Sequence, residues 1–378
     1  MHEDERQAGR KLSVVIAGGG TGGHLYPGIA VAREIARRAP GAAVSFAGTS
    51  RGLEARVVPR EGFALDLVRS AGLKGKSVVA RARGAMLMPL SFADAWGIIS
   101  RRRPSVVIGV GGYSSGPVVL VAALRGIATM VLEQNAVPGL TNRLLARWVR
   151  AAAVNFDQTR SYFRGRAFVA GNPVRAEFFD ASGERAIDGR PGAPLRVLIL
   201  GGSQGAHVIN MAMVAAAPEL ARKFGGLEIV HQTGERDLAA VREAYGRGGV
   251  EARAESFLDP VAREVKAADL VVSRAGATTL AELAAAGRPA VLVPFAAATD
   301  DHQRKNAEVL VEAGAAAMVL ERELSGPALA KVVGERLADR SGLARMSAAM
   351  RTLARPDAAA HIVDRVMELA GVEREPGR

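Results

Sequence analysis

The sequence predicts an α/β protein of two doubly wound domains, each a parallel sheet with helices on both faces. Three observations carry that expectation. First, the β-branched run 14–16 leads into Gly18–Gly23 and then into a helix-like stretch at 29–38. The same order returns half a chain later, where 195–200 leads into Gly201-Gly202-Ser203-Gln204-Gly205-Ala206 and a helix beginning near His207. Strand, glycine turn and helix open a doubly wound sheet, so two such starts imply two sheets. Second, 378 residues suffice for two domains. Third, aromatic residues make up only 4% and the apolar content is mostly Ala, Val and Leu, which suits helices packed on buried parallel strands.

The bulk numbers narrow the function classes. Fifty Lys and Arg against 38 Asp and Glu give a formal charge of +12, which attracts nucleic acid, anionic membrane or phosphorylated ligands. No reading helix, RNA motif or aromatic platform accompanies that charge, so nucleic acid ranks last. The absence of cysteine excludes disulfides, thiolate metal sites and cysteine nucleophiles. The polar start, MHEDERQAGRK, does not read as a signal peptide. The uncharged stretch 104–124 is long enough to suggest a membrane span, but Gly109 to Pro117 breaks it with glycine, serine and proline. The expectation is a cytosolic or membrane-peripheral protein.

Residues 1–11 read as a disordered tail. Strands follow at 14–16, 44–47 and 65–68. A strand at 105–110 meets a second glycine-serine turn, 111–116, and a helix over 118–124. The strand at 129–132 ends on Glu133-Gln134-Asn135, polar residues at the strand end where an open α/β sheet binds its ligand. Val154 and Phe156 share the next strand, and 168–170 leads into GNPVR. The segment 177–194, rich in charge, Gly and Pro, marks the domain boundary. In the second half, strands are expected at 195–200, 227–231, near Glu251, 270–273 and 290–293. Thr278 or Thr279 can cap the helix that carries Glu282. A helix over 329–353 is interrupted by Pro356, and an amphipathic one over 359–369 can return to the first domain.

Between Arg69 and Arg103 the chain changes character. Arg69, Lys74, Lys76, Arg81, Arg83, Arg101, Arg102 and Arg103 stand against Asp94 alone, interleaved with Leu73, Met86, Leu87, Met88, Leu90, Phe92 and Trp96. Such a stretch either docks on an anionic membrane surface or forms an amphipathic helix whose apolar side chains pack into the core while the arginines face water.

The glycine turn GGGTGGHLYPG lets backbone approach a bound group, and the helix start after it offers N–H groups and a positive dipole end to an anion. It lacks both the dinucleotide fingerprint and the Walker lysine. His24, one position past the glycines, has the chemistry of a base or hydrogen-bond donor. A diphosphate with its sugars would suit a cleft lined by turns 18–23, 109–116 and 201–205. Ser203, Gln204, Glu282 and Gln303 offer polar contacts, and Glu282 suits two ribose hydroxyls or, more plainly, a helix start. Asp300-Asp301-His302 lacks the further ligands a metal needs. His2, His207, His231 and His361 show no partner in the sequence.

Seven motifs in order, GGGTGGHLYPG, GVGGYSSGP, EQNAVPGLTNR, GNPVR, GGSQGA, SRAGATTLAEL and DDHQRKNA, span about Ser13 to Leu369. Their set and order resemble the MurG family of N-acetylglucosamine transferases, in glycosyltransferase family 28. The resemblance implies the GT-B fold: two Rossmann-like domains facing each other across a cleft, at 12–176 and 194–352, with a C-terminal helix at about 357–371 packing back on the first. It implies inverting transfer of N-acetylglucosamine from UDP-N-acetylglucosamine to the muramyl C4 hydroxyl of lipid I, giving lipid II for peptidoglycan. No cofactor and no metal are implied. A peripheral position on the cytoplasmic face of the bacterial inner membrane follows, with cell-wall synthesis and division proteins as partners. That position favours the docking reading of 69–103.

Carried onto this chain, the resemblance places Thr21, Gly22 and Gly23 near the donor diphosphate and acceptor, and Asn135 on the transferred sugar. Arg175 and Ser203, with Gln204 beside it, fall on the phosphate or uridine side. Leu258 lies by the uracil through its backbone. Ala277, Thr278, Thr279 and Leu280 form the helix start that holds diphosphate, Glu282 binds the ribose and Gln303 reads a sugar hydroxyl. His24 is the candidate catalytic residue and Glu133 its rival as base. One departure is visible: family members often carry His where this chain has Leu132. The nearest alternatives are another GT-B transferase with a different acceptor and a UDP-sugar 2-epimerase.

Overall fold

The computed structural model describes residues 11–70, 78–180, 194–202 and 205–372, with backbone alone at 78–85. The chain divides into two compact units, Met1–Pro173 with Asp357–Arg378 and Val174–Pro356.

The first unit runs β1 (Ser13–Gly18), α1 (Gly22–Arg38), β2 (Ala43–Gly48), α2 (Glu54–Arg60), β3 (Ala64–Leu67), α3 (Val78–Arg102), β4 (Val106–Gly111), α4 (Ser115–Leu124), β5 (Ala128–Glu133), α5 (Leu140–Leu145), β6 (Ala151–Val154) and β7 (Ala167–Val169). Its strands are parallel, in the order β3-β2-β1-β4-β5-β6-β7. Val14, Ile16, Ile108 and Met130 face Leu25, Ile29 and Ile35 of α1 and Ile362, Val363 and Val366 of the returning C-terminal helix. Val15, Val107 and Val131 face Ala95, Ile98 and Ile99 of α3 and Val118 and Val119 of α4. Burial on both faces is why these strands read as continuous apolar runs rather than alternating ones.

The second unit runs β8 (Arg196–Leu200), α6 (His207–Lys223), β9 (Glu228–Gln232), α7 (Leu238–Arg247), β10 (Ala252–Glu255), α8 (Val261–Ala267), β11 (Leu270–Ser273), α9 (Ala277–Ala286), β12 (Ala290–Leu292), α10 (His302–Glu312), β13 (Ala316–Met318), α11 (Gly326–Ala338) and α12 (Arg340–Thr352). Its sheet, β10-β9-β8-β11-β12-β13, is again parallel. The chain then re-enters the first unit as α13 (Ala358–Ala370), where Arg38 Nη1 donates to Asp364 Oδ1 at 2.7 Å. In each sheet the strand order turns back beside the first strand, between β1 and β4 and between β8 and β11. These switch points are where an open α/β sheet presents its ligand edge.

Several local expectations shift. The first helix starts at Gly22, well before 29, because tertiary packing overrides the low helix propensity of the glycines. A Cβ on Gly28 would lie 3.1 Å from Val110 Cγ1, so that glycine brings α1 down onto β4. Phe156 falls outside β6, which ends at Val154. The helix expected over 329–353 is two, broken at Asp339, whose Oδ1 caps the second by accepting from Gly342 N at 2.7 Å. Thr278 and Thr279 do not cap α9. Gly276 takes the N-cap position and both threonines lie inside the first turn. Strand β13 was not anticipated. Among the described residues, no helix is long and apolar enough to cross a membrane, and no group of three His, Asp or Glu could hold a metal ion.

Candidate active site

In the first unit, two glycine turns meet at the switch point. Gly18, Gly19 and Gly20 all have positive φ (140°, 143° and 86°), a run open only to glycine, and it carries the chain from β1 to α1. The second turn, after β4, holds Gly111 and Gly112 at φ 97° and 83°. Gly19 N donates to Gly111 O at 3.4 Å, and a Cβ on Gly112 would stand 2.7 Å from Gly19 O. Backbone therefore lies on backbone at this edge. His24, the third residue of α1, sets its ring against the second turn: a Cβ on Gly111 would be 2.6 Å from His24 Cδ2 and 2.9 Å from Nε2. Its Nδ1 is 3.1 Å from Thr21 Oγ1, and its amide donates to Thr21 O at 3.3 Å. Thr21, Gly22, Gly23 and His24 are thus gathered at the start of α1. Gly20 differs: its amide is turned onto the Glu54 carboxylate at 2.7 Å. Glu54 is a residue the sequence did not single out.

Glu133, the rival base, is enclosed. It is 3% exposed and both its oxygens are occupied. Oε1 accepts from Asn135 N at 3.0 Å and Asn135 Nδ2 at 3.2 Å, and Oε2 from Gly139 N at 3.0 Å and Asn142 Nδ2 at 2.9 Å. Burial pushes this carboxyl above its usual range against the pull of those donors. Each oxygen of this carboxylate thus already accepts two hydrogen bonds, which weighs against its role as base. Its work is to fold the loop after β5 and aim Asn135, whose carbonyl also accepts from Thr159 Oγ1 at 3.2 Å. Leu132, the one departure from the family pattern, is a buried core residue.

In the second unit, α9 begins at the switch-point end of β11. Ala277, Thr278 and Thr279 form its first turn, at the positive end of the helix dipole. Leu280 does not belong to this set: its amide donates to Gly276 O at 3.0 Å and its side chain is 2% exposed in the core. Glu282 follows one turn later. Its Oε1 is 3.4 Å from Arg175 Nη2, while Arg175 Nη1 also pairs with Glu177 at 2.9 Å and its guanidinium lies 5.0 Å over the Phe178 ring. Burial pushes the Glu282 carboxyl up to about 7, with the Arg175 charge pulling the other way.

Gln303 does not extend into open space. Its Oε1 accepts from Phe295 N at 3.0 Å and ties α10 to the loop after β12. The same loop is braced by Arg274, which donates to Glu321 Oε2 at 2.6 Å and stacks 5.2 Å over Phe295. The Leu258 amide donates to Gln232 Oε1 at 3.1 Å, and its side chain is buried. Ser203 and Gln204 lie outside the described residues. Two histidines without apparent partners in the sequence share one polar chain that runs from the core to the surface: buried His231 bonds Tyr245 Oη at 2.8 Å and Asn210 Oδ1 at 3.0 Å, and Asn210 Nδ2 and the exposed His207 Nδ1 both reach Asp237, at 2.9 and 3.1 Å. Burial lowers the His231 pKa to about 3, so it stays neutral and structural.

The stretch 69–103 sorts by residue. Ala95, Ile98 and Ile99 are core, and Phe92 packs against it. Met86, Met88, Leu90 and Trp96 are exposed, Met86 by 78%, with Arg125 lying 4.7 Å over the Trp96 ring. Asp94 is taken by Arg69, and Arg101 and Arg102 pair with Asp66. Leu73, Lys74 and Lys76 lie outside the described residues.

Two parallel-sheet units of this topology, each with turns and a helix start at its switch point, define the GT-B class of glycosyltransferase. The comparisons agree. Residues 14–154 match the glycosyltransferase family 28 N-terminal domain and residues 196–362 its C-terminal domain. The UDP-N-acetylglucosamine–N-acetylmuramyl-(pentapeptide) pyrophosphoryl-undecaprenol N-acetylglucosamine transferase of Anaeromyxobacter sp. (strain K) is 45% identical, over 97% of each chain. Its namesake from Myxococcus xanthus (strain DK1622) is 44% identical over 95% of this chain and 93% of its own. The crystal structure of Acinetobacter baumannii MurG superposes with a TM-score of 0.79 at 30% identity, covering 94% of this chain and 99% of that one. The chain belongs to the MurG family of glycosyltransferase family 28.

Glu282 supplies a pH test. A carboxylate that accepts from ribose hydroxyls binds best when charged, and it charges as pH rises through about 7. Affinity for UDP-N-acetylglucosamine, measured by calorimetry, is expected to rise roughly three- to tenfold from pH 6 to pH 8. In Glu282→Gln the affinity is lower and its pH dependence is lost.

Proposed function

We propose that this enzyme transfers N-acetylglucosamine from UDP-N-acetylglucosamine to the muramyl C4 hydroxyl of lipid I, with inversion at the anomeric carbon, giving lipid II for peptidoglycan synthesis. The observation that carries the reading is its full length. Identity to relatives named for this transfer runs through both units, so donor-side and acceptor-side features come together.

In this mechanism the hydroxyl oxygen forms a bond to the anomeric carbon as the bond from that carbon to the diphosphate oxygen breaks. The electron pair leaves with UDP, and the hydroxyl proton must go to a base. His24 is that base. In the tautomer that carries its proton on Nδ1, 3.1 Å from Thr21 Oγ1, the lone pair lies on Nε2. Charge growing on the diphosphate is stabilised by the amides at the start of α9 and its dipole. Asn135, aimed by Glu133, contacts the transferred sugar, Gln303 reads one of its hydroxyls, and Arg175 and Glu282 serve the phosphate and ribose. Neither a cofactor nor a metal is needed for these steps.

We also infer a peripheral position on the cytoplasmic face of the inner membrane, where a lipid-linked acceptor resides. Exposed Met86, Met88, Leu90 and Trp96, with Arg125 stacked over Trp96, suit an anionic headgroup layer.

Two measurements follow. Transfer of radiolabelled N-acetylglucosamine to a lipid I analogue should fall by about 100-fold or more in His24→Ala with donor binding kept. Full turnover would take His24 out of the mechanism. In vesicle sedimentation, Met86→Ser with Trp96→Ser should weaken binding to anionic vesicles by roughly tenfold. Unchanged binding would argue against this surface.

A further inference from the structure

We propose that Glu54 is a positioning residue for the transfer step, a buried carboxylate that holds the first glycine turn and so sets Thr21 and His24. The proposal rests on the reading that this turn belongs to the transfer site.

Glu54 opens α2, away from every motif in the sequence, yet it is 1% exposed. A carboxylate is costly to bury, and the chain makes unusual room for this one. A Cβ on Gly19 would lie 2.5 Å from Glu54 Oε2, and one on Gly48 would lie 2.6 Å from Glu54 Cγ. Gly52 makes way for it as well. Glycines from three segments thus line a single side chain. Oε1 accepts from Thr49 N and Thr49 Oγ1, both at 2.8 Å. Oε2 accepts from Gly20 N at 2.7 Å. Burial alone would raise the Glu54 pKa, but these donors outweigh it and hold the carboxyl below its ordinary value. The group is therefore charged at neutral pH.

The turn needs such an anchor. Its glycine run has the greatest freedom to lose on ordering. Its other tie to the neighbouring turn, Gly19 N to Gly111 O, is long at 3.4 Å. A charge-assisted bond of 2.7 Å at Gly20 is the stronger constraint, and it lies one residue before Thr21. Thr21 in turn orients the His24 ring through Nδ1. The carboxylate also gives the underside of the turn a fixed negative charge. Gly20 therefore does not contribute its amide to a phosphate, and the turn is suited to a neutral hydroxyl losing its proton.

The test is Glu54→Gln, which keeps shape but replaces one acceptor oxygen with an amide donor. Activity is read well below the variant's melting midpoint, so that an unfolded fraction does not enter. Expected is a kcat lower by roughly 30-fold or more, with KM for UDP-N-acetylglucosamine within about twofold of the parent. Histidine-ring NMR, with His24 assigned by its loss in His24→Ala, should report a shifted His24 resonance and titration midpoint while His207 and His231 keep theirs. Thr49→Val removes only the hydroxyl behind Oε1 and should give a smaller change of the same kind, about three- to tenfold in kcat. It decides the matter should Glu54→Gln not fold. A kcat within threefold of the parent, or an unmoved His24 signal in a folded variant, overturns the proposal. The NMR arm reads geometry whether or not His24 is the base. Full turnover by His24→Ala therefore counts against the mechanism above and not against the anchoring by Glu54.

Discussion

The close approach of two backbone turns at the β1–β4 switch point is the constraint on which the first unit depends. Side chains at Gly18 or Gly112 would strike the facing turn, and one at Gly111 would strike the His24 ring. Where main chain lies against main chain, no side chain is available to soften a change. The geometry of His24 is consequently set by the sheet beneath it. β1 and β4 are paired and buried on both faces, with α1, α13, α3 and α4 packed over them. A rigid sheet carrying a short, fully specified turn is a better platform for proton transfer than a long loop.

The buried polar groups fit the same picture. Glu54, Glu133 and Asp237 are each enclosed and each accepts several hydrogen bonds, Glu54 and Glu133 from loop backbone and Asp237 from His207 and Asn210 of α6. None is placed as a reactant. An unpaired carboxylate in such surroundings would be expensive, whereas a satisfied one fixes backbone that has no regular structure to hold it. Glu282 is the contrast. Among the described residues its contact is the longer one to Arg175, and burial raises its pKa to about 7.

Much of this was legible in the sequence. The repeated strand–glycine–helix start gave the two sheets, because strand burial and glycine turns are local properties that periodicity and composition record. The same pattern marks the places of His24 and Thr21 beside the first glycine turn, of Asn135 after the end of β5 and of Glu282 on α9. Glu54 could not, since its role exists only when Gly19, Gly48 and Gly52 come together, and nothing in its neighbours' sequence announces that. Glu133 was misread for the complementary reason: an acid at a strand end looks reactive until Asn135, Gly139 and Asn142 are seen to cover it. Leu280 likewise follows two threonines at a helix start, but α-helical bonding to Gly276 removes its amide from ligand binding. The start of α1 was missed because glycine propensity points away from helix, and only packing of Gly28 on β4 reverses it.

The most direct test of the account is transfer by Gly111→Ala beside its affinity for UDP-N-acetylglucosamine. Alanine brings both an unfavourable φ and a Cβ 2.6 Å from His24 Cδ2, on the unit that does not carry Glu282 or α9. The account predicts donor affinity close to that of the parent and transfer reduced by about 100-fold or more. Transfer at the parent rate would contradict it.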